Sequence, residues 1–154
     1  MERPRKKIIC AVDFSAGSDA VVRYAAALHC TDAELIVLSV VPGEEHENGM
    51  LRKHLHEFSR YSEILSQNKA RALFTVEHGE PATAILNYAK EHHADMIILG
   101  SHGTTAIARL LVGSTAEAVL RHAACPVVIL KTPDNNNKNN TETDKKNCCE
   151  NRFC

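Results

Sequence analysis

Five short apolar runs alternate with helix-patterned stretches, and this alternation limits the folds open to the chain. The runs are Lys7–Val12, Leu35–Val41, Ala72–Val76, Asp95–Leu99 and Val127–Leu130. Each is apolar almost without interruption, as expected of a strand buried on both faces. Between them lie four stretches with helical spacing. One starts near Ser18 and carries Val21, Val22, Ala25 and Leu28. After a polar loop over Glu44–Gly49, the second places Leu51, Leu55, Phe58, Ser62 and Leu65 on one stripe, with His54, His56, Glu57 and Arg60 mostly toward water. Gly79-Glu80-Pro81 introduces the third, with Pro81 suited to the first turn and Ala82, Ile85, Leu86 and Ala89 as the buried face. The fourth runs from about Ser114 to Ala123, stopped by Cys125-Pro126. Alternating strands and helices predict an α/β, Rossmann-like single domain, a parallel sheet with helices on both faces and right-handed connections.

Ligands of such sheets bind beyond the carboxyl ends of the strands, where the strand order reverses. If the first and fourth strands flank that point, Asp13 and Gly100 meet there. Gly100-Ser101-His102-Gly103 follows the fourth run, and Gly113-Ser114-Thr115 opens the last helix. Glycines permit positive φ and close backbone approach. Hydroxyls and free N–H groups at a helix start favour an anion. A phosphate-binding loop between strand and helix is therefore expected, against the plainer reading of a surface loop whose glycines only make turns. Asp13 could instead serve the turn into the next helix, and His102 an ordinary loop.

The 154 residues suffice for one domain with a core. The expected domain covers 5–132. The segment 133–154, rich in Asn and Lys with Phe153 as its one large apolar residue, is expected to stay disordered. A net charge of −1 gives no electrostatic argument for nucleic acid or an anionic membrane. The basic start precedes too short an apolar run for a signal peptide, and no run approaches the roughly 18 apolar residues of a membrane span. The six cysteines include no C-x-x-C pair. Cys10, Cys30 and Cys125 fall in or beside apolar elements, as expected of reduced residues in a cytoplasmic protein. Cys148, Cys149 and Cys154 lie in the polar tail. There is no G-x-x-x-x-G-K-[ST] phosphate loop and no G-x-S-x-G elbow. No general base can be assigned beside the glycine loop, so at most slow hydrolysis, assisted by a bound Mg²⁺ and a positioned water, is expected.

Gly100, two residues, Gly103, nine residues, Gly113 and Ser114 reproduce the spacing of a nucleotide motif. With Val12-Asp13-Phe14-Ser15 and Cys125-Pro126-Val127-Val128-Ile129-Leu130-Lys131, the chain resembles the universal stress protein family over about residues 5–132. The resemblance implies a five-stranded sheet ordered 3-2-1-4-5 and an ATP-binding sensor or regulator of the stress response. Ala11, Val12 and Asp13 would line the adenosine end, Asp13 near the ribose or a phosphate-bound Mg²⁺. Val40 would contact adenine through its backbone. Gly100, Ser101, His102 and Gly103 would wrap ribose and phosphates, and Gly113, Ser114 and Thr115 would hold the phosphates. The motif does not assign Arg109; its charge suits a place near the phosphates, or simply in solvent. A homodimer pairing Val127–Leu130 across a twofold axis is also implied, with an unidentified protein partner downstream. Two other readings stand beside this one. Ser15-Ala16-Gly17-Ser18-Asp19 faintly resembles the phosphate loop of adenylating ATP-pyrophosphatases, with Ala16 replacing its first glycine and Ala20 its last serine. The other is a dimeric interaction protein that binds no nucleotide.

Overall fold

The structure, a computed structural model, describes residues 5–28, 33–43, 47–102 and 112–131. Strands β1 (Lys6–Val12), β2 (Ala33–Val41), β3 (Ala72–His78), β4 (Met96–Gly100) and β5 (Val127–Leu130) alternate with helices α1 (Ala16–Ala27), α2 (Glu47–Gln67), α3 (Pro81–Glu91) and α4 (Ser114–His122). The sheet order is β3-β2-β1-β4-β5, and every pairing among these strands is parallel.

The two-sided strands explain the apolar runs. On one face Ile8, Cys10 and Val12 of β1, Leu35 and Val37 of β2 and Ile98 of β4 pack against Val21, Val22, Ala25 and Ala26 of α1 and Tyr61, Ile64 and Leu65 of α2. On the other, Ile9, Ile36, Leu38, Ile97 and Leu99 meet Ala82, Ile85, Tyr88 and Ala89 of α3 and Ala116 and Val119 of α4. Alternate residues of one strand thus serve opposite cores. Within the first core, burial pushes the Cys10 thiol up to about 12.

Helix α1 starts at Ala16 rather than Ser18, because Ser15 already stands at the N-cap. Helix α2 begins inside the predicted loop, at Glu47. The larger correction concerns its buried face. Leu51 and Leu55 are 60% and 62% exposed, and Ser62 is exposed. The helix keeps Phe58 and Leu65 inward as expected and turns His54, Tyr61 and Ile64 inward beside them. That rotation joins Phe58 to Phe74 on β3 at a centroid distance of 5.0 Å and to Phe14 at 5.9 Å. Aromatic rings bury more area than the leucine stripe would. In α3, Tyr88 is buried and Leu86 only partly so.

Candidate functional site

The chain leaves β1 for α1 on one face and leaves β4 for α4 on the other. This is the reversal at which a crevice forms. A cleft of about 920 Å³ opens there. Its floor is the carboxyl ends of β1, β2 and β4, with Ala11, Val12, Asp13, Val40 and Gly100 in place. Ser101 and His102 follow β4, and Gly113, Ser114 and Thr115 form the wall at α4. The cleft thus gathers ten of the residues singled out in the sequence. The other two, Gly103 and Arg109, lie outside the described residues, as does the segment 133–154.

At the end of β1, Asp13 organises a tight turn. Its Oδ1 accepts hydrogen bonds from the Ser15 N–H at 3.1 Å, the Ser15 hydroxyl at 2.5 Å and the Ser18 hydroxyl at 2.8 Å. The Asp13 N–H donates to Ser18 Oγ at 2.9 Å. Phe14 sits at φ 64°, a conformation costly for a bulky residue. The turn carries its ring toward α2, edge-on to His54 with centroids 5.0 Å apart. Asp13 therefore serves the turn into α1 and lines the cleft at once.

At the end of β4, the Ser101 N–H donates to the Leu130 carbonyl at 2.7 Å, and the Gly113 N–H donates to the Ser101 carbonyl at 2.6 Å. The Ser101 hydroxyl and His102 Nδ1 are 3.1 Å apart. These bonds bring the start of α4 against the end of β4. Gly113 supplies room here and not a left-handed backbone. Its φ is −73°, and a Cβ would lie 3.2 Å from the Ser101 carbonyl oxygen. At Gly100 a Cβ would make ordinary contacts, 3.5 Å from the His102 carbonyl and 3.7 Å from Gly17. Neither glycine takes a positive φ, and a tight approach is found at Gly113 alone.

Helix starts give the cleft its electrostatics. Neither Ser15 at α1 nor Gly113 at α4 makes a side-chain cap, so first-turn N–H groups of both helices are not taken by a cap side chain. Helix α3 differs: the Glu80 carboxylate accepts from the N–H groups of Ala82 at 3.1 Å and Thr83 at 2.7 Å. Two helix N-termini at one cleft favour an anionic ligand.

The sequence reading missed a wall contributed by α2: Gly49, Met50, Lys53 and His54. His54, expected in solvent, is 7% exposed. Its Nδ1 lies 2.9 Å from the Met50 carbonyl and its Nε2 3.2 Å from Ser39 Oγ. A carbonyl only accepts, so Nδ1 carries the proton, and in the neutral ring Nε2 accepts the Ser39 hydroxyl. The available signal was positional: α2 follows a strand that ends at the crevice. No motif marks it.

Among the described residues no cluster of three or more His, Cys, Asp or Glu could hold a metal ion, and no helix is long and apolar enough to cross a membrane.

Residues 4–131 match the model of the universal stress protein family. A universal stress protein of Methanocaldococcus jannaschii is 44% identical over 55 residues, 36% of this chain and 32% of that relative. A Staphylococcus aureus relative classed with the universal stress proteins is 29% identical over 142 residues, covering 84% of this chain and 86% of its own. Among solved structures, the hypothetical protein MJ0577 superposes with a TM-score of 0.77 at 24% identity, over 86% of this chain and 99% of that one. An Archaeoglobus fulgidus universal stress protein in complex with dAMP gives 0.67 at 23% identity, over 82% and 98% of the two chains. A universal stress protein in complex with cAMP gives 0.66 at 21%, over 85% and 100%.

Proposed function

The chain belongs to the universal stress protein family, and from that premise we propose that its cleft binds an adenine nucleotide, with ATP the ligand and the protein a nucleotide-dependent sensor or regulator of the stress response. The observation that carries this reading is the meeting of Asp13, Val40, Gly100–His102 and Gly113–Thr115 around one cleft at the reversal of strand order. The dAMP and cAMP held by two proteins of the same fold support it. The base would lie over Ala11, Val12 and the backbone of Val40, the ribose by Asp13, and the phosphates at the start of α4. The family motif would add Gly103 beside the ribose and phosphates, and the charge of Arg109 suits a place near the phosphates. A Mg²⁺ would arrive with the nucleotide, held chiefly by phosphate oxygens, and Asp13 is the one carboxylate of the described lining that could join it. Binding without rapid turnover suits a site with no assignable general base.

Two features of assembly and location belong to the same proposal. Strand β5 is an edge of the sheet, and an edge strand offers unpaired backbone to a second copy, which supports a homodimer through Val127–Leu130. Free thiols at Cys10 and Cys125 suit the reducing cytoplasm.

Native mass spectrometry of protein purified without added ligand, followed by titration with Mg-ATP, tests the reading. An adenine-nucleotide adduct or saturable binding is expected. No adduct and no titratable binding would leave the dimeric interaction protein as the better description. Release of pyrophosphate and AMP would point to adenylating chemistry.

A further inference from the structure

Lys53 projects from α2 onto the rim of the cleft. It is the only Lys or Arg among the described lining residues, facing a single carboxylate, Asp13. Arg60 holds Asp19 at 2.7 Å and Glu57 at 2.7 Å, and Arg121 holds Glu117 at 2.7 Å. No ion pair with a described residue engages Lys53; its ammonium lies 5.7 Å from the centroid of the Phe14 ring. An ammonium held only over a ring face at that distance gives up little on turning to an anion.

The backbone that carries Lys53 is fixed. His54, its neighbour, is buried and bonded through both ring nitrogens, to Ser39 on β2 and to the Met50 carbonyl one turn back. The helical turn from Met50 to His54 is thereby tied to the floor of the cleft, while the exposed four-carbon stem of Lys53 is free to sweep over it. A compact ammonium on a flexible stem is suited to a phosphate as a point charge.

We propose that Lys53 is a specificity-determining residue that pairs with the phosphate chain of the bound nucleotide and sets the preference for polyphosphates over the nucleoside. Helix α2 then reads ligand charge from the wall opposite the hydroxyls and helix-start N–H groups of α4. This inference rests on the adenine-nucleotide reading of the cleft.

Calorimetric titration of ATP, AMP and adenosine into the wild type, Lys53→Met and Lys53→Arg tests it. The exposed side chain makes loss of folding an unexpected outcome, and thermal melts of the three proteins check this. For Lys53→Met, ATP binding weakens about tenfold or more, AMP binding less, and adenosine binding stays as in the wild type; Lys53→Arg restores most of the ATP affinity. Raising the salt concentration narrows the gap between wild type and Lys53→Met for ATP. Equal affinities of wild type and Lys53→Met for ATP would overturn the inference while leaving nucleotide binding intact. An equal loss for all three ligands would also overturn it, by making Lys53 a scaffold residue. A wild type that binds none of them would overturn this inference together with the reading beneath it.

Discussion

The contrast between Gly113 and His54 shows what a single residue discloses before folding. The spacing of Gly113 from Gly100 and its place before Ser114 mark it in the sequence. Its physical reason is visible only in the fold, where the Ser101 carbonyl closes on the position a side chain would take. His54 carries no mark at all. On a helix with leucines at 51 and 55, a histidine reads as the solvent face, and only the packing of Phe14, Phe58 and Phe74 turns it inward. Once buried, it satisfies the Ser39 hydroxyl, itself 3% exposed. Replacing His54 by Phe keeps the ring and removes the acceptor. Denaturant unfolding should show a loss of about 1–3 kcal/mol, the cost of an orphaned buried hydroxyl. Unchanged stability would mean that Ser39 finds another partner and that the anchor of α2 lies elsewhere.

Elements were legible where one periodicity prevailed and blurred where two competed. The runs now seen as β1, β2, β4 and β5 stood out because each feeds two cores. Helix α3 announced itself through Pro81, and the structure adds Glu80 as its cap. Hydrogen bonds from the Thr83 side chain and from the Thr83 and Ala82 N–H groups hold the Glu80 carboxyl below its ordinary value. A lowered folded value means that the stabilisation is complete above the unfolded carboxylate range and is lost as the pH falls through the folded value. Glu80→Ala should therefore cost about 0.5–1 kcal/mol at neutral pH, the low end for an exposed cap. The difference from wild type should fade below the carboxylate range in thermal melts recorded across pH. A deficit that persists in acid would assign the effect to helix propensity. Helices α1 and α2 are joined by the bidentate pairing of Arg60 with Asp19, at 2.7 Å and 2.9 Å, with both side chains about a third exposed. Asp19→Asn should destabilise by only about 0.2–1 kcal/mol, less at high salt. A loss several times larger would show that this bridge, and not the apolar packing, sets the α1–α2 geometry.

At the scale of the whole molecule, the alternation of elements announced the parallel sheet, and the rule of strand reversal put the crevice between β1 and β4 on the condition that those two strands flank the reversal. The strand order itself came from family resemblance, because alternation does not say on which side of β1 each later strand lies. The α2 wall of the cleft was illegible for a related reason: it is assembled by tertiary packing across the end of β2, not by neighbours in the chain. The same scale decides assembly. Val128 and Leu130 pack partly against one core, Val127 and Ile129 partly against the other, so the outer backbone edge of β5 and its half-buried side chains are what a second copy would meet. Light scattering should give twice the 17.0 kDa chain mass; a mass of one chain at micromolar concentration would remove the dimer from the account.

The central claim is that the cleft between β1 and β4 is a nucleotide site whose phosphate end depends on the close approach at Gly113. Calorimetric titration of Mg-ATP into protein stripped of residual nucleotide, wild type beside Gly113→Val, tests it directly. The account predicts micromolar binding by the wild type, roughly −8 kcal/mol, and none by a valine variant that keeps its helical signal by circular dichroism. A wild type that takes up no nucleotide, or a valine variant that binds as tightly as the wild type, would contradict it.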